Sequence, residues 1–581
     1  MAGAFALPGD LLGKALAAPI KPSTAPSTLQ QTITQSSIAN IQYRKLLSGP
    51  GEPYLTRIDL VGKQPAAARA RTRRSLAYLG HLTDIHLIDA QSPGRLEPLV
   101  AVSASFVDAT RPHDTMTAQV LSQMVASMNN SRISPVTGAP LTAVLNTGDF
   151  ADSRNSNELS WYVKLLDGGT ITPNSGRVGT YEGVQVWSEA TYAYHPDDPA
   201  DDQFGERGFP TIPGVLNAAV SQSVSSDGLP APWYSVYGNH DTLFMGNIQV
   251  QVALQAWATG SRKAALWPAT TTNMVNWWSQ NNSMFQQFVE QLRTSVGLQG
   301  GVHSVTPDGS RELFDQQQFI QAHLDSDPFP GPIGHGFTQA SLDNNQTWWQ
   351  ADVTAAIRVF GLDTCNQVAG ADGAVPQDQF DWLEAGLEQA RKDGKLAIVC
   401  SHHNSYTLEN IATTAIGPTQ ILIHADEFVT MLQKYPNMIA WINGHTHINT
   451  ITAHPAGDGG GFWEITTASC VDYPQQQQML EIVDNDDGTL SIFTTVLDHD
   501  SPAAWSVGDF SQQGLASLSR ELASNSWAFE PLPRRGSPLD RNTELVLNAP
   551  FRLSGISNAQ LEKEQAIARA RLVAYDERVR T

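Results

Sequence analysis

The chain has 581 residues, 41% of them apolar, and sets 57 Asp and Glu against 36 Lys and Arg for a formal charge of −21. That apolar share builds a sizeable core, and the low charged fraction of 16% excludes a coiled coil or a disordered acidic chain. No run reaches the ~18 consecutive apolar residues of a membrane span, and the acidic balance argues against nucleic acid as a partner, since no net positive field gathers a polyanion.

Residues 1–70 carry little periodicity. The first twenty are small and apolar and precede a Pro/Ser/Thr-rich run, Lys21–Ser37. The N-terminus therefore resembles an export signal lacking its basic front. That predicts secretion or residence in the cell envelope and leaves a cytoplasmic location open.

From Ser75 short apolar runs alternate with helical patterns. Leu76–Leu82, Leu141–Leu145, Trp233–Tyr237, Ile357–Leu362, Leu396–Cys400 and Met438–Ile442 have the length and the β-branched or aromatic content of buried strands. Thr115–Asn129 and Gln377–Asp393 show helical spacing, the second with Gly394 as its stop. The alternation predicts an α/β fold. Past His447, Phe462–Ala468, Met479–Val483 and Thr489–Val496 read as strands, with a hairpin turn at Asn485–Gly488. The run Gln475–Gln478 is too short to carry meaning, and Asn558–Arg580 reads as a solvated tail helix. Cys365, Cys400 and Cys470 are too few for a disulfide framework and read as buried thiols.

The chemistry lies where these strands end. Asp84 and His86 follow the first strand, Asp149 and Asp152 the second, and Asn239, His240 and Asp241 the third. His402 and His403 follow Leu396–Cys400, and His445 and His447 follow Met438–Ile442. An isolated Asp-x-His is usually a loop or a cap, and an isolated Gly-Asn-His-Asp is usually a turn. In an open α/β sheet, however, the carboxyl ends of the strands share one edge, where ligands bind. Seven metal-competent side chains on that edge (Asp84, His86, Asp149, Asn239, His402, His445, His447) are hard to explain as packing. Oxygen and imidazole donors without cysteine suit Mn²⁺, Fe²⁺ or Zn²⁺. Seven donors are too many for one tetrahedral ion and suit two, if one carboxylate bridges them. Glycines before Asp149, Asn239 and His445 are expected to let the chain turn sharply.

The ordered string Asp-x-His, Gly-Asp-x-x-Asp, Gly-Asn-His-Asp, His, Gly-His-x-His resembles the calcineurin-like metallophosphoesterase superfamily over roughly residues 76–450. The resemblance implies a four-layer α/β/β/α sandwich with large loop insertions and a dimetal site at the strand ends. It implies one ion on Asp84, His86, Asp149 and His447, and a second on Asp149, Asn239, His402 and His445. His240 would face the leaving group as acid or transition-state stabiliser, and Asp241 would orient it. Purple acid phosphatases carry Asp-x-Gly and Gly-Asp-x-x-Tyr; His86 and Asp152 stand at those places here. The pattern is closer to class III cyclic-nucleotide phosphodiesterases, with Asp152 in a structural hydrogen-bonding role. Strand alternation turns only one of His402 and His403 inward, and the family's ligand is the first.

The implied domain spans 71–500, after the leader-like segment 1–70 and before a C-terminal extension, 501–581. Insertions are expected at about 153–232 and 242–356. The second holds Trp257, Trp267, Trp277, Trp278, Trp348 and Trp349 and an amphipathic pattern around Met284–Leu292. These aromatics read either as a wall for an organic leaving group or as the insertion's own small core. His81, His113, His195, His335, His424 and His454 read as surface or loop residues.

The activity so implied is metal-dependent hydrolysis of a phosphodiester or phosphomonoester in a small substrate, by hydroxide at a dinuclear centre. The alternative is a phosphomonoesterase, that is, a phosphatase or nucleotidase. A non-phosphate metallohydrolase is disfavoured, because amidohydrolase barrels place His-x-His at the first strand and metallo-β-lactamase sites need His-x-His-x-Asp-His. A catalytically silent binding module would show a broken ligand set.

Overall fold

The computed structural model describes residues 21–37, 42–62, 65–101, 104–198, 202–250, 252–266, 301–412, 421–457, 459–551 and 557–580. The export-like residues 1–20, Trp267, Trp277, Trp278 and the stretch Met284–Leu292 lie outside the described residues.

Among the described residues, strands and helices alternate and two large mixed sheets dominate. The first has seven strands in the order Leu55–Arg57, Thr543–Asn548, Thr489–Asp498, Gln476–Asp484, Arg74–Leu82, Ala143–Asn146 and Trp233–Ser235. The last three run parallel, and Gln476–Asp484 joins them antiparallel. The second has six strands in the order Trp349–Asp352, Ile357–Gly361, Leu396–Cys400, Met438–Asn443, Gly461–Thr466 and Thr450–Pro455. Its four inner strands are parallel and its two edges antiparallel.

Period-two alternation assigns the faces of the second sheet. Val359, Ile398, Ile442 and Ile465 point into one cluster with Leu79, Leu145, Met479 and Ile482 of the first sheet. Phe360, Val399 and Trp441 point the other way, onto Leu383 and Leu387 of helix Gln377–Lys392 and Phe428 of helix Ala425–Leu432. Both faces being covered explains the continuous apolar sequence Leu396–Cys400, which is buried throughout. The Trp349 indole donates to Ser235 O at 2.7 Å, tying the edge of one sheet to the edge of the other. Helix Gln377–Lys392 ends as expected: Gly394 has φ +69°, and the Lys395 amide turns back to Ala390 O at 2.9 Å.

Several expectations change. Helix Thr117–Asn130 is buried nearly all round rather than on one face, because helix Gln512–Ser524 packs on it from the C-terminal region. The tail helix Asn558–Arg580 is docked rather than freely solvated, burying Leu561, Ala566, Ala570, Leu572 and Tyr575. The run Gln475–Gln478 is buried, with its amides donating to Val471 O, Asp498 and Met124 O and, at 3.5 Å, to Asn449. Residues 55–57 and 543–548 are strands of the first sheet, so both end segments are woven into it. Trp257 packs with Leu96, Leu99, Phe244 and Ile248, a cluster the second insertion shares with residues 96–109 rather than forming alone. All three cysteines are buried free thiols.

Candidate metal centre

The parallel strands of both sheets end at one edge. Arg74–Leu82 delivers Asp84 and His86, Ala143–Asn146 delivers Asp149, and Trp233–Ser235 delivers Asn239. Leu396–Cys400 delivers His402, and Met438–Asn443 delivers His445 and His447. The loops are laced together: Asp84 N donates to Gly148 O at 3.1 Å, His86 N to Asp149 O at 2.9 Å and Gly444 N to His402 O at 3.0 Å. Among the described residues twelve non-glycine residues have positive φ, and five of them are Asp84, His86, Asp149, His445 and His447. Side chains adopt this left-handed region reluctantly, and such residues collect at functional sites.

Of the three glycines expected to make turns, Gly148 does so, with φ +94°. Gly238 and Gly444 serve close approach instead. A Cβ on Gly238 would lie 2.1 Å from Asp149 N, and one on Gly444 would lie 2.3 Å from Asp84 Oδ2.

The seven predicted donors converge. Asp84, His86 and His447 form one group able to hold a metal ion, and Asp84, Asp149 and His402 form another. His447 Nε2 is 3.1 Å from Asp84 Oδ1. Asp149 Oδ2 lies 3.5 Å from His86 Nε2 and 3.3 Å from His402 Nε2, between the two groups. Beyond it, Asn239 Oδ1 is 2.9 Å from His402 Nε2 and 3.1 Å from His445 Nδ1.

These atoms fit cations. His402 Nδ1 faces Thr147 O at 2.7 Å. A carbonyl only accepts, so Nδ1 carries hydrogen and the neutral ring turns the lone pair of Nε2 toward Asn239 Oδ1 and Asp149 Oδ2. Acceptors then face acceptors, an arrangement that a positive charge between them resolves. His86 Nε2 is buried with no hydrogen-bond partner in the structure. Without metal, protons take that place. Burial opposes the His402 proton, yet Asp149 and Asp84 outweigh it and hold the ring up to about 9. His447 is likewise held up to about 9 by Asp84 and Asp472 against burial. His445 is pushed down to about 3 by burial and by His402.

His403 is also buried, but Nδ1 meets Thr364 Oγ1 at 2.8 Å and Nε2 meets Ala371 O at 2.7 Å. Both nitrogens have protein partners, and the ring also falls with His402 and His445 in a group able to hold a metal ion. His240, partly exposed, sits edge-on to His86 with ring centroids 4.6 Å apart. Its Nδ1 bonds to Asp152 O at 2.5 Å.

Asp241 does not orient that ring. Its carboxylate accepts from the amides of Phe150, Ala151 and Gly238 at 3.0–3.2 Å, clamping the Asp149 loop to the Asn239 loop. Burial and Asp149 push it up to about 7 against those three donors.

The sequence did not point to Asp472, 2.6 Å from His447 Nδ1, or to the buried Arg95 and Arg111 around Asp152 and Asp472. Asp152 Oδ1 faces His86 Nδ1 at 3.2 Å, the hydrogen-bonding role expected of it. The remaining histidines divide. His424, in a loop, and His454, in the strand Thr450–Pro455, are half-buried, whereas His81, His113, His195 and His335 are buried. His81 is bonded at both nitrogens, to Thr467 and Thr147.

Among the described residues no helix is long and apolar enough to cross a membrane. No protein-family profile matches the chain, and no curated protein does. Among solved structures it is similar to a dimetal phosphatase from Danio rerio, at 10% identity and a TM-score of 0.31, covering 74% of this chain and 100% of that one. It is also similar to a purple acid phosphatase from yellow lupin (Lupinus luteus) seeds, at 9% identity and a TM-score of 0.26, covering 78% of this chain and 53% of that one.

Proposed function

We propose that this protein is a metal-dependent phosphoesterase with a dinuclear centre, acting on a phosphodiester or phosphomonoester of a small substrate. One observation carries the reading: Asp149 Oδ2 stands within 3.5 Å of both His86 Nε2 and His402 Nε2, where a carboxylate would bridge two ions. The four-layer α/β/β/α arrangement is supported by the core shared between the sheets and the helices on the outer face of the six-stranded one.

In this reading one position takes Asp84, His86, Asp149 and His447, and the other Asp149, Asn239, His402 and His445. Two divalent ions held there would supply a water of lowered pKa and positive charge against the phosphoryl oxygens. The chain's residues do the rest. Thr147 O and Asp472 hold the far nitrogens of His402 and His447, so the near ones face the site. His240, whose Nδ1–H is held by Asp152 O, would act as imidazolium, giving the Nε2 proton to a leaving-group oxygen and returning to the neutral ring. Asp241 fixes the two loops that carry Asp149 and His240 rather than the imidazole itself.

The test strips the protein with chelator, reloads it separately with Mn²⁺, Fe²⁺, Zn²⁺ or Mg²⁺, and compares an aryl phosphate monoester with a bis-aryl phosphodiester. Metal-dependent turnover with diester preferred is the expected outcome, and monoester preference would make the protein a phosphatase. No turnover of either, with about two ions bound per chain, would overturn the reading.

A further inference from the structure

We propose that Arg111 is a positioning residue that couples the two histidines of one metal position, His86 and His447, through Asp152 and Asp472; the proposal rests on the dinuclear reading above. His447 Nδ1 lies 2.6 Å from Asp472 Oδ2, and His86 Nδ1 lies 3.2 Å from Asp152 Oδ1. Arg111 grips Asp472 with both arms of its fork, Nε to Oδ1 at 2.8 Å and Nη2 to Oδ2 at 3.3 Å. Its Nη1 lies 3.7 Å from Asp152 Oδ1, the oxygen that faces His86. Arg95 holds the other oxygen, Oδ2, at 3.1 Å, and is itself paired with Asp114 at 2.6 Å. One guanidinium thus touches both carboxylates that orient the histidines of this position.

The burial requires an explanation. Arg111 is 1% exposed, with its charge 5.1 Å from the centre of the Phe529 ring. Removing a guanidinium from water is costly unless it is paired and hydrogen-bonded. Its partners come from separate places: Asp472 past the Gly461–Thr466 strand, Asp152 past the Ala143–Asn146 strand, and Asp108 O from its own loop at 3.0 Å. The local contact to Asp108 also includes its carboxylate, Oδ1 at 3.7 Å from Nη2, but the bidentate partner is the remote Asp472. The fork sets the plane of Asp472, and a carboxylate so fixed keeps the hydrogen of His447 on Nδ1 and its Nε2 lone pair on the site. Lysine, a point charge on a flexible stem, cannot grip one carboxylate at two points while reaching a second. The Asn239, His402 and His445 position has a different anchor, Thr147 O, and does not depend on Arg111.

Calorimetric titration of the chelator-stripped full-length protein with Zn²⁺, together with the visible spectrum of the Co²⁺-loaded form, reads this out. Wild type is expected to bind two ions. Arg111→Lys and the isosteric Asp472→Asn are each expected to weaken one of the two sites roughly 10- to 100-fold and leave the other unchanged, with one Co²⁺ band lost at limiting metal. His403→Ala, a buried histidine with both nitrogens occupied, is expected to keep both sites. Asp472→Asn carries the test alone if Arg111→Lys does not fold. Two unchanged sites in a folded variant, or equal weakening of both, would overturn the proposal. Wild-type protein that binds two ions but hydrolyses neither ester overturns the phosphoesterase reading and leaves this one standing.

Discussion

Two groups of histidines lie along the strand Trp233–Ser235, one fully buried and one with His445 half-buried, and their nitrogens face different partners. Beside the strand, His335 meets Trp233 O at 3.0 Å and Ser326 Oγ at 2.7 Å, while His323 meets Phe319 O at 2.9 Å and Ser235 Oγ at 3.1 Å. All four nitrogens have protein partners, and burial pushes His323 down to about 4 and His335 well below its ordinary value. Past the end of the same strand, Asn239 Oδ1 faces His402 Nε2 and His445 Nδ1, and those two nitrogens face each other at 3.2 Å. The first group is structure that completes itself. The second is where, in the dinuclear reading, metal would bind. The two groups differ in what their nitrogens face: carbonyl and hydroxyl oxygens in the first, and Asn239, Asp149 and one another in the second.

Five substitutions press on that contrast. The largest effect is expected at the metal edge: Asp149→Ala should lose about 10³-fold or more in ester turnover and retain fewer than two ions, with its circular dichroism spectrum intact. Wild-type rates there, or in His445→Ala, would remove the mechanism. Next, His240→Ala should lower kcat by ~10²-fold while metal content by elemental analysis stays the same, since its role is toward the leaving group.

The self-satisfied group should respond in stability instead. His335→Ala leaves Trp233 O and Ser326 Oγ without their partner and should cost about 2–3 kcal/mol in denaturant unfolding, with both ions still bound. A variant that lost metal would erase the distinction between the groups.

The smallest effect concerns Asp167, which accepts from the Trp233 indole at 3.1 Å and from Asp327 N at 3.0 Å. Burial pushes its carboxyl up to about 7 against those donors. A carboxyl raised on folding holds its proton more tightly in the native state, so native stability falls as pH rises from the unfolded value toward 7. Asp167→Asn should remove on the order of 2 kcal/mol of that decline between pH 5 and pH 8. Comparing the slopes of the two proteins cancels the constant cost of an altered hydrogen bond, and identical slopes would exclude the assignment.

Much of the fold was legible because its signals are local. Leu396–Cys400 was delimited to the residue, since a strand buried on both faces is a continuous apolar run. Helix Gln377–Lys392 carried its stop in Gly394. The failures have a common cause. Helix Thr117–Asn130 and the run Gln475–Gln478 present polar residues to distant segments that bury them, and no window along the chain contains the partner. The roles of Gly238 and Gly444 were missed likewise, because a close approach between loops leaves no mark on either loop.

The chain by itself determined which chemistry is available and where it falls: donors without cysteine, each at the end of a strand, in an α/β alternation. Strand ends and donor types are written in consecutive residues, so periodicity and spacing suffice to find them. Tertiary structure alone decided that Asp241 clamps loops instead of a ring and that Arg111 reaches Asp472 from far along the chain. Those outcomes depend on which donors and acceptors meet when remote segments pack. A sequence records each group's capacity to bond, and only the folded chain determines with what.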